Sequence, residues 1–317
     1  MPQIIIKSVN ISENKGTIKM PVEHIELTLF GVKDDAHAGH WNRQVSLLGT
    51  ESIKKFESES NRRVMPGEFA ENITTTGMEL WTAQPLDRFT SGEIVLEVTQ
   101  IGKECHGTSC AIFKETGNCV MPKEGIFCRV LTTGTLKAGM ELEFHKKNYR
   151  TMVITLSDRA SAGEYEDRSG PRIRELLESH FNICHLQFEF CNYIIPDDPE
   201  KLDNLLHKAS EELFDLVITT GGTGIGPRDF TPDVVKSLLD KEIPGIMELI
   251  RMKYGSEKPA ALLSRSIAGV VGKTLIFTLP GSVKAVNEYM SEITKSMMHM
   301  VYMVHELDSH RKSCEMV

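Results

Sequence analysis

The sequence predicts two domains of different class. A β-rich, barrel-like domain is expected over 1–147, and an α/β domain with a mostly parallel sheet, covered by helices on both faces, over 148–317. Three observations carry this. The chain has 317 residues, and at roughly 100–200 residues per domain that length favours two. The first half holds short apolar runs broken by turn residues, whereas the second alternates β-branched runs with helical segments. The charge also shifts: there are 17 basic and 19 acidic residues through Asn148 (net -2), then 19 basic and 25 acidic (net -6), together the -8 of the whole chain.

In the first half, strands are expected around Ile4–Ile6, Val45–Leu48, Ile94–Val98, Phe127–Leu131 and Met140–Phe144. Turn residues such as Gly31, Pro66-Gly67, Gly77, Ser91-Gly92 and Gly134 separate them. One helix is expected over Thr50–Ser60, with Thr50 as its cap. In the second half, Thr151–Leu156 is a β-branched run, followed by a helix over Pro171–Ser179. A strand over Phe188–Ile195, a helix over Pro199–Leu213 and a buried parallel strand over Phe214–Thr220 follow. Thr231-Pro232-Asp233 reads as a capping hydroxyl, a Pro at the first helical position and an acid. Thr274–Leu279 is the last strand, and Ser282 opens a long final helix. The junction, Glu143 to Asn148, has no Pro/Gly-rich linker, so closely coupled domains are expected.

Composition excludes several classes. The acid excess argues against sequence-blind nucleic-acid binding, which needs a basic footprint. No apolar run approaches the roughly 20 residues that span a bilayer. The patch Ile4–Ile6 is too short for a signal-peptide core. A cytoplasmic location with reduced cysteines is the expectation. Of the seven cysteines, Cys105, Cys110, Cys119 and Cys128 fall within 24 residues. No CxxC occurs, and the spacing matches neither common zinc nor iron–sulfur patterns, though neither metal is excluded.

In a parallel α/β sheet, ligands bind beyond the carboxyl ends of the strands. Three loops at such ends are unusual: Ser157-Asp-Arg-Ala-Ser161, continuing to Gly170; Gly221-Gly-Thr-Gly-Ile-Gly-Pro-Arg-Asp229; and Leu279-Pro-Gly-Ser282. Gly221, Gly222, Gly224 and Gly226 allow close backbone approach to a ligand, and turned N–H groups make an anion-binding concavity. No Gly-Lys-Ser/Thr follows, so this is not a Walker A loop, nor does it match G-x-G-x-x-G. An acidic domain that binds polyphosphate needs a bridging cation, and Mg²⁺ held by one or two carboxylates plus phosphates meets that need. Asp229 and Asp197-Asp198 are the candidate acids, while Arg159, Arg228 and Arg265 could offset phosphoryl charge. Taken singly, each Asp or Arg is better explained as a helix cap or a solvated loop charge. Their convergence at one sheet edge favours a nucleotide-handling site.

These stretches resemble the MogA/MoaB family, which includes the molybdopterin adenylyltransferases. The match comprises ITLSDRASAGEYEDRSGP (154–171), IIPDDPE (194–200), DLVITTGGTGIGPRDFTPDVV (215–235), IPGIMELIR (243–251), ALLSRSIAGVVG (261–272) and TLIFTLPGS (274–282). The resemblance implies Mg²⁺-dependent transfer of AMP from ATP to the molybdopterin phosphate. It places the family's two essential acids on Asp197 and Asp229, which would also hold Mg²⁺. It lines the pocket with Ser157, Asp158, Arg159, Gly221, Gly222, Thr223, Gly224, Gly226, Thr231, Ser264, Arg265, Pro280, Gly281 and Ser282. It further implies a homo-oligomer, trimeric or hexameric, working with other molybdenum cofactor assembly proteins.

In the first half, DAHAGH and RQVSLL (35–48), GEFAENITT (67–75) and the strand leading to Cys105 resemble the MOSC domain. That resemblance implies a module that binds or modifies the molybdenum cofactor, with Cys105 handling sulfur or contacting the cofactor, and His37, His40, Arg43, Glu71 and Asn72 around it. Nothing resembles a dedicated pyridoxal-phosphate lysine, so that cofactor is not expected. Two other readings stay open here: a non-catalytic cofactor carrier, and a MOSC-centred sulfur-transfer or reductase activity.

Overall fold

Alternating apolar residues in the first half do build a closed sheet. In the computed structural model, which describes residues 3–104 and 119–307, the chain divides into two compact units, Met1–Lys147 and Asn148–Val317. The first contains β1 (Ile4–Ile11), β2 (Met20–Val22), β3 (His24–Thr28), β4 (Gly31–Val32), β5 (Val45–Gly49) and α1 (Thr50–Ser60). These are followed by β6 (Ile73–Thr76), β7 (Arg88–Ser91), β8 (Ile94–Ile101), α2 (Met121–Glu124), β9 (Ile126–Thr132), β10 (Gly134–Lys137) and β11 (Glu141–His145).

Strands pair in the order β11-β7-β8-β9-β5-β6-β1, and β11 returns to β1 at Ile4↔Leu142, closing a seven-stranded barrel. Closure removes the exposed edges that open sheets carry. Strand β2 extends β1 outside the closure, and β10, β3 and β4 form a separate three-stranded sheet. Inward residues such as Ile4, Ile6, Leu47, Phe89, Leu96, Val98 and Ile126 fill the barrel. A second cluster of Leu48, Ile53, Phe56, Phe69, Met121 and Phe127 buries the apolar side of α1. Thr50 does not cap α1. Gly49 is the cap, and the Thr50 hydroxyl donates to that of Thr76 at 2.9 Å.

The second unit contains β12 (Asn148–Leu156), α3 (Asp158–Ser161), α4 (Ser169–Phe181), β13 (Gln187–Ile195), α5 (Pro199–Glu211), β14 (Leu216–Thr220) and α6 (Thr231–Leu238). It continues with β15 (Lys241–Glu242), α7 (Pro244–Gly255), β16 (Ala268–Val271), β17 (Thr274–Leu279) and α8 (Val283–Val304). The sheet order is β13-β12-β14-β17-β16-β15, with the first four strands parallel and β16 antiparallel to both β17 and β15. On one face, Met152, Ile154, Val217 and Ile276 pack with Leu202, Leu206 and Val235 of α5 and α6. Alternate residues such as Val153, Ile218 and Phe277 are buried as well, so both faces are covered.

Register decides what this sheet can do. Leu156 lies opposite Ile195, Thr155 opposite Thr220, and Thr220 opposite Leu279. Four strand ends therefore stop side by side. Among the described residues no helix is long and apolar enough to cross a membrane. Cys128 is fully buried in the barrel, where burial pushes its thiol well above the ordinary range and makes it packing. Cys184 is disulfide-bonded, which departs from the expectation of wholly reduced thiols.

Phe277 sits at 0 % exposure in the middle of the second sheet. Phe277→Ala is expected to destabilise this unit by about 3–5 kcal/mol, read by chemical denaturation.

Candidate functional site

The aligned strand ends deliver four loops to one edge. After β12, the Ser157 hydroxyl caps α3 by accepting from the Ala160 N–H at 3.2 Å, and its own N–H donates to the Ile195 carbonyl at 2.9 Å. After β13, the Asp197 N–H donates to Asp158 Oδ1 at 2.9 Å, and Asp198 caps α5 through the N–H groups of Glu200 and Lys201. Asp158 Oδ2 takes Arg228 from the glycine loop at 2.5 Å. Three loops are thus knitted through one carboxylate.

The glycine loop after β14 is held by glycine-specific geometry at its start. Gly221 has φ +111°, and a Cβ there would lie 2.3 Å from the Leu156 carbonyl oxygen. Gly222 has φ +63°, and a Cβ there would lie 2.5 Å from the Thr231 hydroxyl. Among the described residues the N–H groups of Gly222, Thr223 and Gly224 have no protein acceptor, so they are available to an anion. Thr231 is not the cap of α6. The helix begins at Thr231, and the buried hydroxyl donates to the Gly221 carbonyl at 2.9 Å, locking the loop to the helix. Asp229 Oδ2 accepts the Gly226 N–H at 2.8 Å.

The remaining predicted residues support these. Gly281 packs against Gly221, its carbonyl accepting the Ser169 hydroxyl at 2.8 Å. Pro280 accepts the Thr220 hydroxyl at 3.0 Å, and Ser282 caps α8 through the Ala285 N–H at 3.2 Å. Arg159 lies over the Tyr165 ring at 5.7 Å. Arg265 reaches Gly224, Asp229 and Asp233, and Ser264 accepts from Tyr289. Beside the edge, a cavity of about 590 Å³ is lined by residues of β12, β13 and the 163–171 loop, among them Thr155, Tyr165, Asp167 and Tyr193. Asp167, passed over in the sequence, accepts from the Thr155 hydroxyl at 2.7 Å and from the N–H groups of Ser169 and Gly170, anchoring that loop. Its signal was the DRSG segment, where an acid precedes a helix start.

Burial raises the Asp197 carboxyl above the usual carboxylate range, and the charges of Asp158 and Asp229 push it further, against the opposing pull of Arg228. Three carboxylates therefore share one field. No group of three or more His, Cys, Asp or Glu side chains forms a ready-made metal cage among the described residues. A cation here would complete its shell with ligand phosphates.

In the first unit, Lys19, unremarked in the sequence, is fully buried and ion-paired with fully buried Asp35. His37 Nδ1 lies 3.4 Å from both the Lys19 ammonium and Asp35 Oδ1. Burial pushes the Asp35 carboxyl up, but hydrogen bonds from His37 and Lys19, with the Lys19 charge, outweigh it and hold it below the usual range. The Trp41 indole N–H donates to the His37 carbonyl at 2.7 Å, and Arg43 lies over the indole at 4.9 Å. His40 is exposed and packs edge-on to Phe30. Glu71 and Asn72 are buried instead. Glu71 Oε1 accepts from the Gly67 N–H and the Thr74 hydroxyl, both at 2.7 Å, and burial raises its carboxyl. Asn72 joins Ser46 to Asn10. Cys105 and Cys110 lie outside the described residues.

The architecture is a mostly parallel α/β domain carried on a chain with a separate β-barrel. Residues 152–299 match the family described as "Probable molybdopterin binding domain", and 34–143 match the MOSC domain. A molybdopterin adenylyltransferase of Helicobacter pylori J99 is 39% identical over 153 residues, 48% of this chain and 85% of that protein. The Escherichia coli K12 molybdopterin adenylyltransferase is 36% identical over 140 residues, 44% of this chain and 70% of that protein. A solved MoaB of Pyrococcus furiosus, described as a tungsten cofactor synthesizing protein, is 36% identical, with 50% of this chain and 98% of that chain covered and a TM-score of 0.44. The chain belongs to the molybdenum cofactor biosynthesis family, joining a MOSC domain to a MogA/MoaB-type domain.

Two expectations follow. Because the folded-state pKa of Asp197 is raised, its ionised form costs stability at neutral pH, and that cost disappears as pH falls below the unfolded value. Asp197→Asn should therefore melt at a higher temperature than wild type at pH 7, with the difference vanishing below about pH 4. Asp35→Asn leaves the buried Lys19 unpaired and should cost about 3–5 kcal/mol in urea denaturation.

Proposed function

We propose that the 148–317 domain transfers AMP from ATP to the molybdopterin phosphate, and that the MOSC domain, over 1–147, binds or modifies the cofactor. The observation that carries the reading is the meeting of unsatisfied glycine-loop N–H groups with Asp158, Asp197 and Asp229 at the aligned strand ends. The named activity of the Helicobacter pylori and Escherichia coli relatives supports it.

In this reading, a phosphate oxygen of molybdopterin attacks the α-phosphorus of ATP, the new P–O bond forms, and the bond to pyrophosphate breaks. Such a step needs positioning and charge stabilisation, with no covalent protein nucleophile. The N–H groups of Gly222, Thr223 and Gly224 face the phosphates, and the α6 N-terminus adds the positive end of its dipole. Ser157, Asp158 and Arg159 border the pocket on the β12 side, with Ser264, Pro280, Gly281 and Ser282 as its remaining walls. Asp197 and Asp229 would hold Mg²⁺, with ligand phosphates completing its shell. Bound there, Mg²⁺ would neutralise charge between the acids and the phosphates. Asp158 and Arg228, paired across the opening, orient the Asp197 backbone.

His37, with Nδ1 3.4 Å from Asp35 and Lys19, would meet an anionic ligand, with Arg43 beside Trp41. Cytoplasmic location, oligomerisation and partnership with other cofactor assembly proteins belong to the same reading. A non-catalytic carrier would share the pterin pocket without turnover.

Purified protein given ATP, Mg²⁺ and molybdopterin is expected to release pyrophosphate, with no release when molybdopterin or Mg²⁺ is omitted. Asp229→Ala should lower that rate by about 10²–10³-fold. Pterin binding without pyrophosphate release would establish the carrier instead.

A further inference from the structure

Arg265 stands in the sequence as a candidate for contacting phosphate, but its geometry directs it elsewhere. Its Nε–H donates to the Gly224 carbonyl at 2.8 Å, one terminal nitrogen to Asp233 Oδ1 at 2.8 Å, and the other to the Asp229 carbonyl. Its backbone N–H donates to the Thr223 carbonyl at 2.8 Å. One residue thus binds the glycine loop at its middle, at its end and at the first turn of α6. Its charge already faces that of Asp233, so the neutralisation a phosphate would offer is partly spent.

The segment carrying Arg265 is itself held from two helices. Tyr289, on α8 and 4 % exposed, donates its hydroxyl to the Ser264 hydroxyl at 2.9 Å. Ser264 donates in turn to the buried Ser266 hydroxyl at 3.0 Å and accepts the Ser266 N–H at 3.3 Å. Arg251, on α7, donates to the Ser266 carbonyl at 2.9 Å. Tyr289 is the distal end of a chain of contacts running Tyr289, Ser264, Arg265, glycine loop.

We propose that Arg265 is a positioning residue that clamps the Thr223–Asp233 segment in its anion-receiving form, and that Tyr289 braces this clamp through Ser264. The clamp sets where the Gly222, Thr223 and Gly224 N–H groups point and where Asp229 sits. A planar guanidinium with donors in three directions suits this task, and a lysine ammonium on a flexible stem does not reproduce it. The consequence for turnover rests on the adenylyl-transfer reading, whereas the clamp itself is a property of the ligand-free chain.

The test is therefore made first without ligand. Hydrogen exchange by mass spectrometry on the full chain compares wild type, Arg265→Lys and Tyr289→Phe. Arg265→Lys should speed exchange in peptides covering 221–230 by about tenfold, with the β17 peptide unchanged. Tyr289→Phe, which deletes one hydroxyl, should speed exchange across 221–230 and 264–266 by about threefold. Unchanged exchange at 221–230 in Arg265→Lys overturns the clamp and returns Arg265 to the phosphates. If Arg265→Lys loosens the whole unit, Tyr289→Phe decides: a rise confined to the two segments supports the brace, and no rise overturns it. Where pyrophosphate release is measured, both variants should lower kcat more than they raise KM for ATP. A rise in KM alone would instead mark direct phosphate binding. Wild type that releases no pyrophosphate but shows the exchange pattern would sink the reaction and leave the clamp standing.

Discussion

Everything at the candidate site depends on one constraint, the register of four parallel strands. Leu156 stands against Ile195, and Thr220 against Leu279. A shift of one residue in any of these strands would turn its buried side chains to the opposite face, which both covered faces forbid. The hydrophobic core thereby fixes, to within one residue, where each strand ends and each loop begins. The loops need only short polar contacts to finish the job. Asp158 joins three of them, the Thr231 hydroxyl ties the glycine loop to its helix, and the turn after β17 is held by the Thr220 and Ser169 hydroxyls.

That division of labour explains what the sequence made legible. Hydrophobic period and turn residues marked the four parallel strands of the second half, with β17 read to its residues and β13 to within one, but not the antiparallel β15 and β16. The glycine loop and the strand-end acids stood out because few backbones need Gly at so many positions beside an Asp. What stayed hidden has a common physical cause. The barrel closes through β1 and β11, more than 130 residues apart in sequence, and no local period carries that pairing. Thr231 and Thr50 look like caps, yet each hydroxyl is drawn to a distant partner that only the fold supplies. Lys19 reads as a surface residue, because a lysine is almost never buried unless paired, and its pair is 16 residues on.

The first unit shows the same logic at greater cost. Burying Lys19 and Asp35 together demands good geometry, since desolvation opposes both charges. Asp35 answers by also accepting the His37 N–H at 2.9 Å and the Ser12 N–H at 3.0 Å. A hydrophobic pair of the same volume would commonly be as stable. What such a pair could not do is hold the His37 ring by one nitrogen and leave the other side of the ring to the surface. Glu71 and Asn72 belong to this supporting layer, joining the 67–76 segment to β1 and β5, while His37, Trp41 and Arg43 are half-buried.

Net charge cannot be what brings anions to the second unit, since -6 of the chain's -8 lies there. Attraction over the roughly 8 Å of a physiological Debye length would be repulsive on balance. The site must therefore work at contact range, and its parts are suited to that. Backbone N–H groups add favourable dipoles without adding a formal charge that the acids would cancel. Arg228 is already paired with Asp158, and Arg265 with Asp233, so neither presents an open cation at long range. The field that remains unbalanced is the one felt by Asp197, where burial and two neighbouring acids oppose ionisation. In the proposed reading, a divalent cation arriving with an anion would relieve Asp197 as it binds. In the adenylyl-transfer reading, such a site would favour a polyphosphate that carries its divalent cation over a bare anion.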